Sequence, residues 1–333
     1  MTRYEVVIVG GGAAGLSAAL VLGRVRRSVL VVDSGRPRNT PASAVHGFLT
    51  RDGIPPARLL ERGRQDLSGY PSVQVGTGTV GSAHRGEDEF VVSLGDGTHH
   101  RARRLLLATG VTDQLPDVDG LAGLWGNGVF HCPYCHGWEV RDQPLAVLGG
   151  TPDAAQLAVY LTRLSADVVL CTNGPHALDA ALQHVLAANG VPVREEPIAR
   201  LQGTPGRMEQ VVFATGQILA RAAMFLRPHI QQHSDLATQL GCTLLDDGRV
   251  QVDQTGATTV TGVYAAGDLA RTRELLLPAG KVITAAGAAA QTAVTIDRDL
   301  VLADITAGIP LTYHRNPAVG QGNDAAPEVT TGH

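Results

Sequence analysis

Two cysteines stand two residues apart in the run His131-Cys132-Pro133-Tyr134-Cys135-His136-Gly137-Trp138. A pair at this spacing can close as a disulfide, supply half of a zinc site, or do neither. Zinc needs two further ligands. His131 and His136 flank the pair, but the other cysteines, Cys171 and Cys242, are isolated in apolar runs where core packing is the default. No second paired cluster exists in the sequence, so no metal is expected. His136 adjoins Cys135, and an imidazole there could take a proton from an incoming thiol near neutral pH and then steady thiolate as imidazolium. The plain alternative is a histidine satisfied by nearby backbone.

A second chemistry-bearing run lies at the start of the chain, where Gly10-Gly11-Gly12-Ala13-Ala14-Gly15 fits G-x-G-x-x-G. Gly10 suits a tight turn, Gly12 lets backbone approach a pyrophosphate, and Gly15 allows helix and strand to pack closely. The helix that follows offers free N–H groups and the positive end of its dipole to phosphate. Asp33, eighteen residues beyond Gly15 at the end of the next strand, is placed to accept hydrogen bonds from ribose hydroxyls. Within a nucleotide-binding chain, a redox dithiol becomes the preferred reading of Cys132 and Cys135, with zinc and inert cysteines as alternatives.

A similar turn recurs as Gly149-Gly150-Thr151-Pro152-Asp153-Ala154, but with defects. Thr151 stands where glycine would permit close approach to pyrophosphate, Pro152 removes a donor N–H, and Asp153 adds negative charge. The second turn is expected to be degenerate as a nucleotide site.

The elements that must position these residues follow from apolar patterning. A strand over Tyr4–Val9, a helix over Ala14–Val25 and a strand over Ser28–Val32 make a βαβ unit. From Val73 to Arg104 short alternating strands with a Gly-Asp-Gly turn predict an antiparallel excursion. Val111–Gly128 is Pro-, Gly- and Asp-rich and reads as a linker. A second βαβ-like unit opens at Gln143, and a Gly/Ala-rich helix is predicted over Gly280–Leu302. The tail from Pro317 to His333 is polar and expected to fray. Strand, glycines, helix and a later Ala-Thr-Gly occur twice, at Gly10 with Ala108 and at Gly149 with Ala214, as a duplicated nucleotide-binding domain would give.

The 333 residues suffice for about two domains. Charged residues make up 17% and hydrophobic residues 44%, which excludes a disordered or fibrous chain. A formal net charge of −4 gives no footprint for nucleic acid or an anionic membrane. No apolar run approaches the ~20 residues needed to span a bilayer. The first residues enter a strand with no basic leader, so a cytoplasmic protein is expected.

The chain from Tyr4 to about Val301 resembles the low-molecular-weight thioredoxin reductase family. In that family an FAD domain is interrupted by a second nucleotide domain carrying C-x-x-C just before its own glycine turn, as Cys132 and Cys135 precede Gly149. The resemblance implies an α/β fold of two Rossmann-like domains: an FAD domain of residues 1–113 and 245–333, and an inserted, degenerate NAD(P)-binding-like domain of residues 114–244. Ala108-Thr109-Gly110 and the run from Gly262 through Gly267-Asp268 resemble the family's further FAD fingerprints, Asp268 meeting the ribityl and phosphate region. By the same resemblance Cys135 would lie against the flavin and Cys132 would meet the substrate thiol.

The stretch from Cys132 to Glu139 also resembles the active site of the dithiol oxidases that close disulfides in gliotoxin and holomycin biosynthesis. That subgroup carries an Arg-Asn and a following His after the first acid, matched here by Arg38, Asn39 and His46. The family's His-Arg-Arg run for the 2′-phosphate is replaced by Cys171-Thr172-Asn173-Gly174, and its Arg-Gln-Ala by Gly280-Lys281-Val282. Lys281 and Val282 would then meet the flavin mainly through backbone N–H. These features imply an FAD-dependent dithiol oxidase that forms a disulfide in a small molecule or peptide, with O2 as acceptor. Alternatives are a thioredoxin-reductase-like enzyme fed by NAD(P)H or ferredoxin, and a flavin redox sensor. A homodimer through the FAD domains is expected.

Overall fold

The computed structural model describes residues 1–204, 206–275 and 280–311, so the expected fraying from Pro317 lies outside the described residues. A first sheet of seven strands runs in the order Val73–Thr77, Val29–Asp33, Thr2–Val9, His99–Leu107, Phe90–Leu94, Val80–Arg85. The strand His99–Leu107 has a divided edge. Its first half pairs antiparallel with Phe90–Leu94, and its second half pairs parallel with Val263–Ala265. The predicted antiparallel excursion therefore continues the parallel sheet, and the late strand returns beside it.

Helices Ala13–Arg24 and Val282–Thr306 pack on one face of this sheet, sharing a core of Ala18, Ala19, Leu22, Ala289, Ala293 and Ile296. Alanines at the contact let the two helices approach closely. Arg27 and Arg104 on the sheet side pair with Asp297 and Asp299 of the long helix, which fixes its rotation.

A second sheet has five strands in the order Val193–Arg194, Val168–Cys171, Leu145–Leu148, Ala223–Leu226, Val129–Phe130, with every pairing parallel. Its central strands are apolar throughout, as expected for strands covered on both faces. Helix Pro152–Leu161 covers one face, and an antiparallel sheet of Ile198–Thr204, Arg207–Phe213 and Ile218–Ala220 lies on the other side. The α/β fold with two Rossmann-like units is as expected from the sequence.

The segment read as a linker is more ordered than its composition suggests. Val111–Gln114 pairs antiparallel with His229–Gln232, and Leu121–Leu124 forms a short helix. The two chain crossings between the units thus satisfy each other's backbone hydrogen bonds. Beyond the second crossing, Leu236, Ala237 and Cys242 join the core of the first sheet, with Val7 and Leu105. Among the described residues no helix is long and apolar enough to cross a membrane.

Candidate active site

The first glycine turn shows why each glycine stands where it does. Gly10 has φ +108°, and a Cβ there would meet the carbonyl oxygen of Ala108 at 2.3 Å. A Cβ on Gly15 would stand 1.8 Å from the carbonyl oxygen of Gly10, and one on Gly11 would meet the Asp33 side chain at 2.6 Å. Gly12 differs: nothing lies within 4 Å of its Cβ position. It is the N-cap of helix Ala13–Arg24 and makes no side-chain cap, so the first N–H groups of that helix open onto a cavity of about 450 Å³.

That cavity collects most of the sequence-predicted residues. Gly10 to Ala14 and Asp33 line one part of it, and Arg38 and Asn39 another. Ala108, Thr109 and Gly110 line it at the end of the long strand, and Gly267, Asp268, Lys281 and Val282 line it from the last helix and its approach. His136 also lines it. Gly15 is buried behind the turn, and His46, Cys132 and Cys135 are not among the lining residues. Asp33 is held in place: its Oδ2 accepts from Arg64 at 2.6 Å and its Oδ1 from the Gly35 N–H at 3.2 Å.

Arg38 is the clamp of the site. Its Nη1 donates to Asp268 Oδ2 at 2.7 Å, and its Nη2 and Nε donate to Asp113 at 2.6 and 2.9 Å. Burial works against the guanidinium charge, but the bonds to Asp113 and Asp268 outweigh it and push its pKa up. Asp113, which the sequence reading did not single out, is therefore part of the site. An acid inside a four-residue strand carried no local signal. Gly280 has a steric reason here too, since a Cβ would stand 2.9 Å from Arg38 Nη1.

The redox turn leaves strand Val129–Phe130, passes His131, and caps the single-turn helix Pro133–His136 with Cys132. Gly137 closes it where a Cβ would strike the Pro133 carbonyl at 2.4 Å. The Cys135 thiol donates to Cys132 Sγ at 2.6 Å. That bond lowers the Cys132 pKa to about 7 against the opposing effect of burial, with help from the backbone N–H groups of Cys135 and Tyr134 and from the charge of Lys281. Cys135 is pushed up, first because it donates that bond and then by burial. One sulfur of the pair is thus poised as thiolate and the other as thiol. Cys171 and Cys242 are buried in the cores, as expected.

His136 stacks on Phe130 with ring centroids 4.6 Å apart and lies edge-on to His46 at 6.2 Å. Both its ring nitrogens are buried without a hydrogen-bond partner, and burial, with His131 and His46 nearby, lowers its pKa to about 4. The imidazole is neutral at pH 7 and free to accept a proton, but the desolvation that keeps it neutral also makes it a weak base. The expected stabilisation of thiolate by imidazolium does not hold in this environment, because desolvation disfavours the charged ring. His131 also lines the cavity, and burial followed by the Arg38 charge lowers its pKa to about 4. His46 stands between two carboxylates, 3.6 Å from Asp52 and 3.5 Å from Glu139. Glu139 belongs to the redox turn, so His46 joins the loop after Asp33 to that turn. Among the described residues no cluster of three or more His, Cys, Asp or Glu could hold a metal ion.

The second glycine turn is built differently. Thr151 caps helix Pro152–Leu161 by accepting from the Ala154 N–H at 3.3 Å, and Pro152 occupies the first turn. His176 lies over Gly150, its Cβ 3.0 Å from where a side chain on Gly150 would begin, and the Ala177 N–H donates to the Gly150 carbonyl at 2.9 Å. At the end of the next strand, Thr172 bonds to the Gly174 carbonyl and Asn173 accepts from the Ile198 N–H. The arginine of the neighbouring strand, Arg194, is paired with Glu196 at 2.7 Å.

Comparison with known proteins agrees with this architecture. The pyridine nucleotide-disulphide oxidoreductase family matches residues 4–293. A probable thioredoxin reductase of Arthroderma benhamiae is 32% identical over 298 residues, covering 80% of this chain and 74% of that protein. Thioredoxin reductase sirT of Leptosphaeria maculans is 32% identical over 296 residues, covering 80% and 87%. The crystal structure of HlmI superposes with a TM-score of 0.86 at 40% identity, over 93% of this chain and 97% of that one. A glycine turn opening on a large cavity, a C-x-x-C turn at its side and a sequence match over most of the length lead to one conclusion: the chain belongs to the pyridine nucleotide-disulphide oxidoreductase family, as a disulfide oxidoreductase of thioredoxin-reductase type.

Proposed function

We propose that the protein is an FAD-dependent dithiol oxidase that closes a disulfide in a small molecule or peptide and passes the electrons to O2. The observation that carries this reading is the contrast between the two helix N-termini. The first is uncapped and faces a cavity of about 450 Å³, whereas the second is capped by Thr151 and has His176 against the preceding Gly150. A helix start with one N–H capped and another removed by proline offers fewer donors to a pyrophosphate and is poorly built for NADPH.

The residues present suit FAD. Gly12 has open space where a side chain would project, and His131 Nε2 and both His136 nitrogens are buried, unpartnered atoms of residues that line the same cavity. Gly10 to Ala14 would hold the pyrophosphate, Asp33 a ribose, and Asp268 the ribityl region, with Arg38, Asn39, Thr109, Gly110, Lys281 and Val282 around the rest. When bound, FAD supplies the two-electron acceptor that returns the reduced cysteine pair to its disulfide, O2 being converted to hydrogen peroxide.

The protein side of the chemistry is thiol–disulfide exchange. A substrate thiol gives up its proton as its sulfur attacks Cys132 of the Cys132–Cys135 disulfide, with neutral His136 as the weak base that takes it. Cys135 leaves with the electron pair and takes the proton of the second substrate thiol. The second substrate thiolate then attacks the substrate sulfur of the mixed disulfide, releasing Cys132 as thiolate and the product as a disulfide. Two electrons and two protons have passed from substrate to enzyme. In the second exchange Cys132 is suited to depart, because its pKa is the lower of the two; its place as the sulfur first attacked follows the family resemblance. We propose in addition that the FAD domain, expected over residues 1–113 and 245–333, takes up its second part earlier, after the 229–232 crossing, because Leu236, Ala237 and Cys242 pack in the core of the first sheet. The rest of the expected insert, 114–244, stays the insert, and the enzyme is a cytoplasmic homodimer.

The names of the relatives favour a second reading, thioredoxin reduction fed by NAD(P)H or another donor. One anaerobic experiment separates the two. A small dithiol should bleach the yellow flavin band within the dead time of manual mixing, and admitted oxygen should restore it with peroxide formed. NADPH should bleach it slowly or leave it unchanged. Rapid, saturable reduction by NADPH would overturn the oxidase reading in favour of the reductase.

A further inference from the structure

Lys281 is the only lysine in the chain, and the fold carries it to the redox turn. It is the N-cap residue of helix Val282–Thr306, and its Nζ lies 4.3 Å from the ring centroid of Tyr134. Tyr134 stands between the two cysteines, is 62% exposed, and packs against Tyr160 at 5.2 Å between centroids. A cation–π contact at such a distance orients the ammonium on a long and otherwise mobile side chain. The other titratable and charged groups facing the sulfurs are few. Asp268 lies on the cavity side, where Arg38 pairs with it, and the Tyr160 hydroxyl lies on the insert side.

We infer that Lys281 is a positioning residue for the exchange: its ammonium, held on the Tyr134 ring, steadies negative charge on the Cys132–Cys135 pair and makes Cys132 a better leaving sulfur. The inference rests on the redox reading of that pair. In the second exchange the bond between Cys132 and the substrate sulfur breaks, and Cys132 takes the electron pair as the substrate disulfide forms. A thiol of lower pKa leaves faster, and the Lys281 charge acts to lower both cysteines, against Asp268 on Cys135. A neutral residue on Tyr134 would leave the turn its shape but remove that field.

The test is thiolate formation, followed separately from turnover. Holoenzyme is reduced anaerobically with excess dithiothreitol and freed of it, and alkylation of Cys132 by iodoacetamide is read by peptide mass across a pH series, in wild type, Lys281→Met, Lys281→Gln and Lys281→Arg. The wild-type midpoint should lie at about 7. In the Met and Gln variants it should rise by about half a unit or more, with alkylation below the midpoint slowed ~3-fold. Lys281→Arg should keep the wild-type midpoint. An unchanged midpoint in both neutral variants, or a rise in Lys281→Arg equal to theirs, would overturn the inference. Flavin bleaching by dithiol, recorded on wild type beforehand, tests the oxidase reading on its own. Failure there leaves the alkylation comparison to judge Lys281.

Discussion

Arg38 Nη1 donates to Asp268 Oδ2 at 2.7 Å, joining two residues 230 positions apart. The same guanidinium holds Asp113, whose side chain is only 6% exposed. One residue therefore ties the loop after Asp33, the first crossing to the insert, and the turn after strand Val263–Ala265. Each of these segments lines the cavity, so the clamp sets its shape.

Arg38→Met should leave two acids facing each other without their cation. Removing one partner of a buried pair costs about 3–5 kcal/mol. The expected result is a fall in thermal midpoint of several degrees and a loss of flavin on gel filtration. Unchanged stability would show that Asp113 and Asp268 find solvent, and that the clamp is not structural.

Gly12 and Gly15 should fail in different ways. Gly15→Ala places a methyl 1.8 Å from the Gly10 carbonyl oxygen, so the helix must shift and yield of folded protein should drop. Gly12→Val meets no protein atom at its Cβ, and its backbone angles are ordinary for any residue. It should fold with the near-ultraviolet circular dichroism of the wild type but purify colourless. A yellow Gly12→Val protein would move the flavin site away from this turn.

Cys132→Ser and Cys135→Ser should each abolish dithiol turnover and retain flavin, because neither cysteine lines the cavity. Cys135→Ser should also weaken the thiolate character of Cys132, whose pKa is lowered first by the Cys135 bond. Alkylation of Cys132 near pH 7 should be slower in that variant than in reduced wild type.

The buried histidines predict a pH dependence of stability with a definite sign. His131 and His136 have folded pKa values of about 4 against 6.5 when unfolded. Between these values the unfolded chain binds more protons, so stability falls as pH drops from about 6.5 toward 4. His136→Phe keeps an aromatic ring against Phe130 and should reduce that slope by one proton, measured as urea midpoint against pH. The same variant, or His136→Ala, should slow dithiol turnover about 100-fold, most strongly where the substrate thiol is protonated. A wild-type rate profile with an inflection near 6.5 that His136→Ala removes would contradict a neutral, buried His136.

Some features of this protein were legible in the residues alone. The apolar strand before Gly10, the Ala-rich helix after it and the acid at position 33 are local patterns, each set by backbone sterics and periodicity within a few residues. The turn at Cys132–Cys135 is equally local. So is the difference between the two glycine turns, because Thr151 and Pro152 act on the very helix they begin. The tertiary structure decided the rest. It chose Asp113 as a partner of Arg38, laid His176 over Gly150, paired Val111–Gln114 with His229–Gln232, and buried His136 deeply enough to keep it neutral. It also brought Lys281 to Tyr134 across the chain. None of these contacts has a period or a spacing: some form within one unit, as His176 with Gly150, and others only when the two sheets dock. Desolvation and charge pairing, the forces that set the chemistry of the site, depend on that docking.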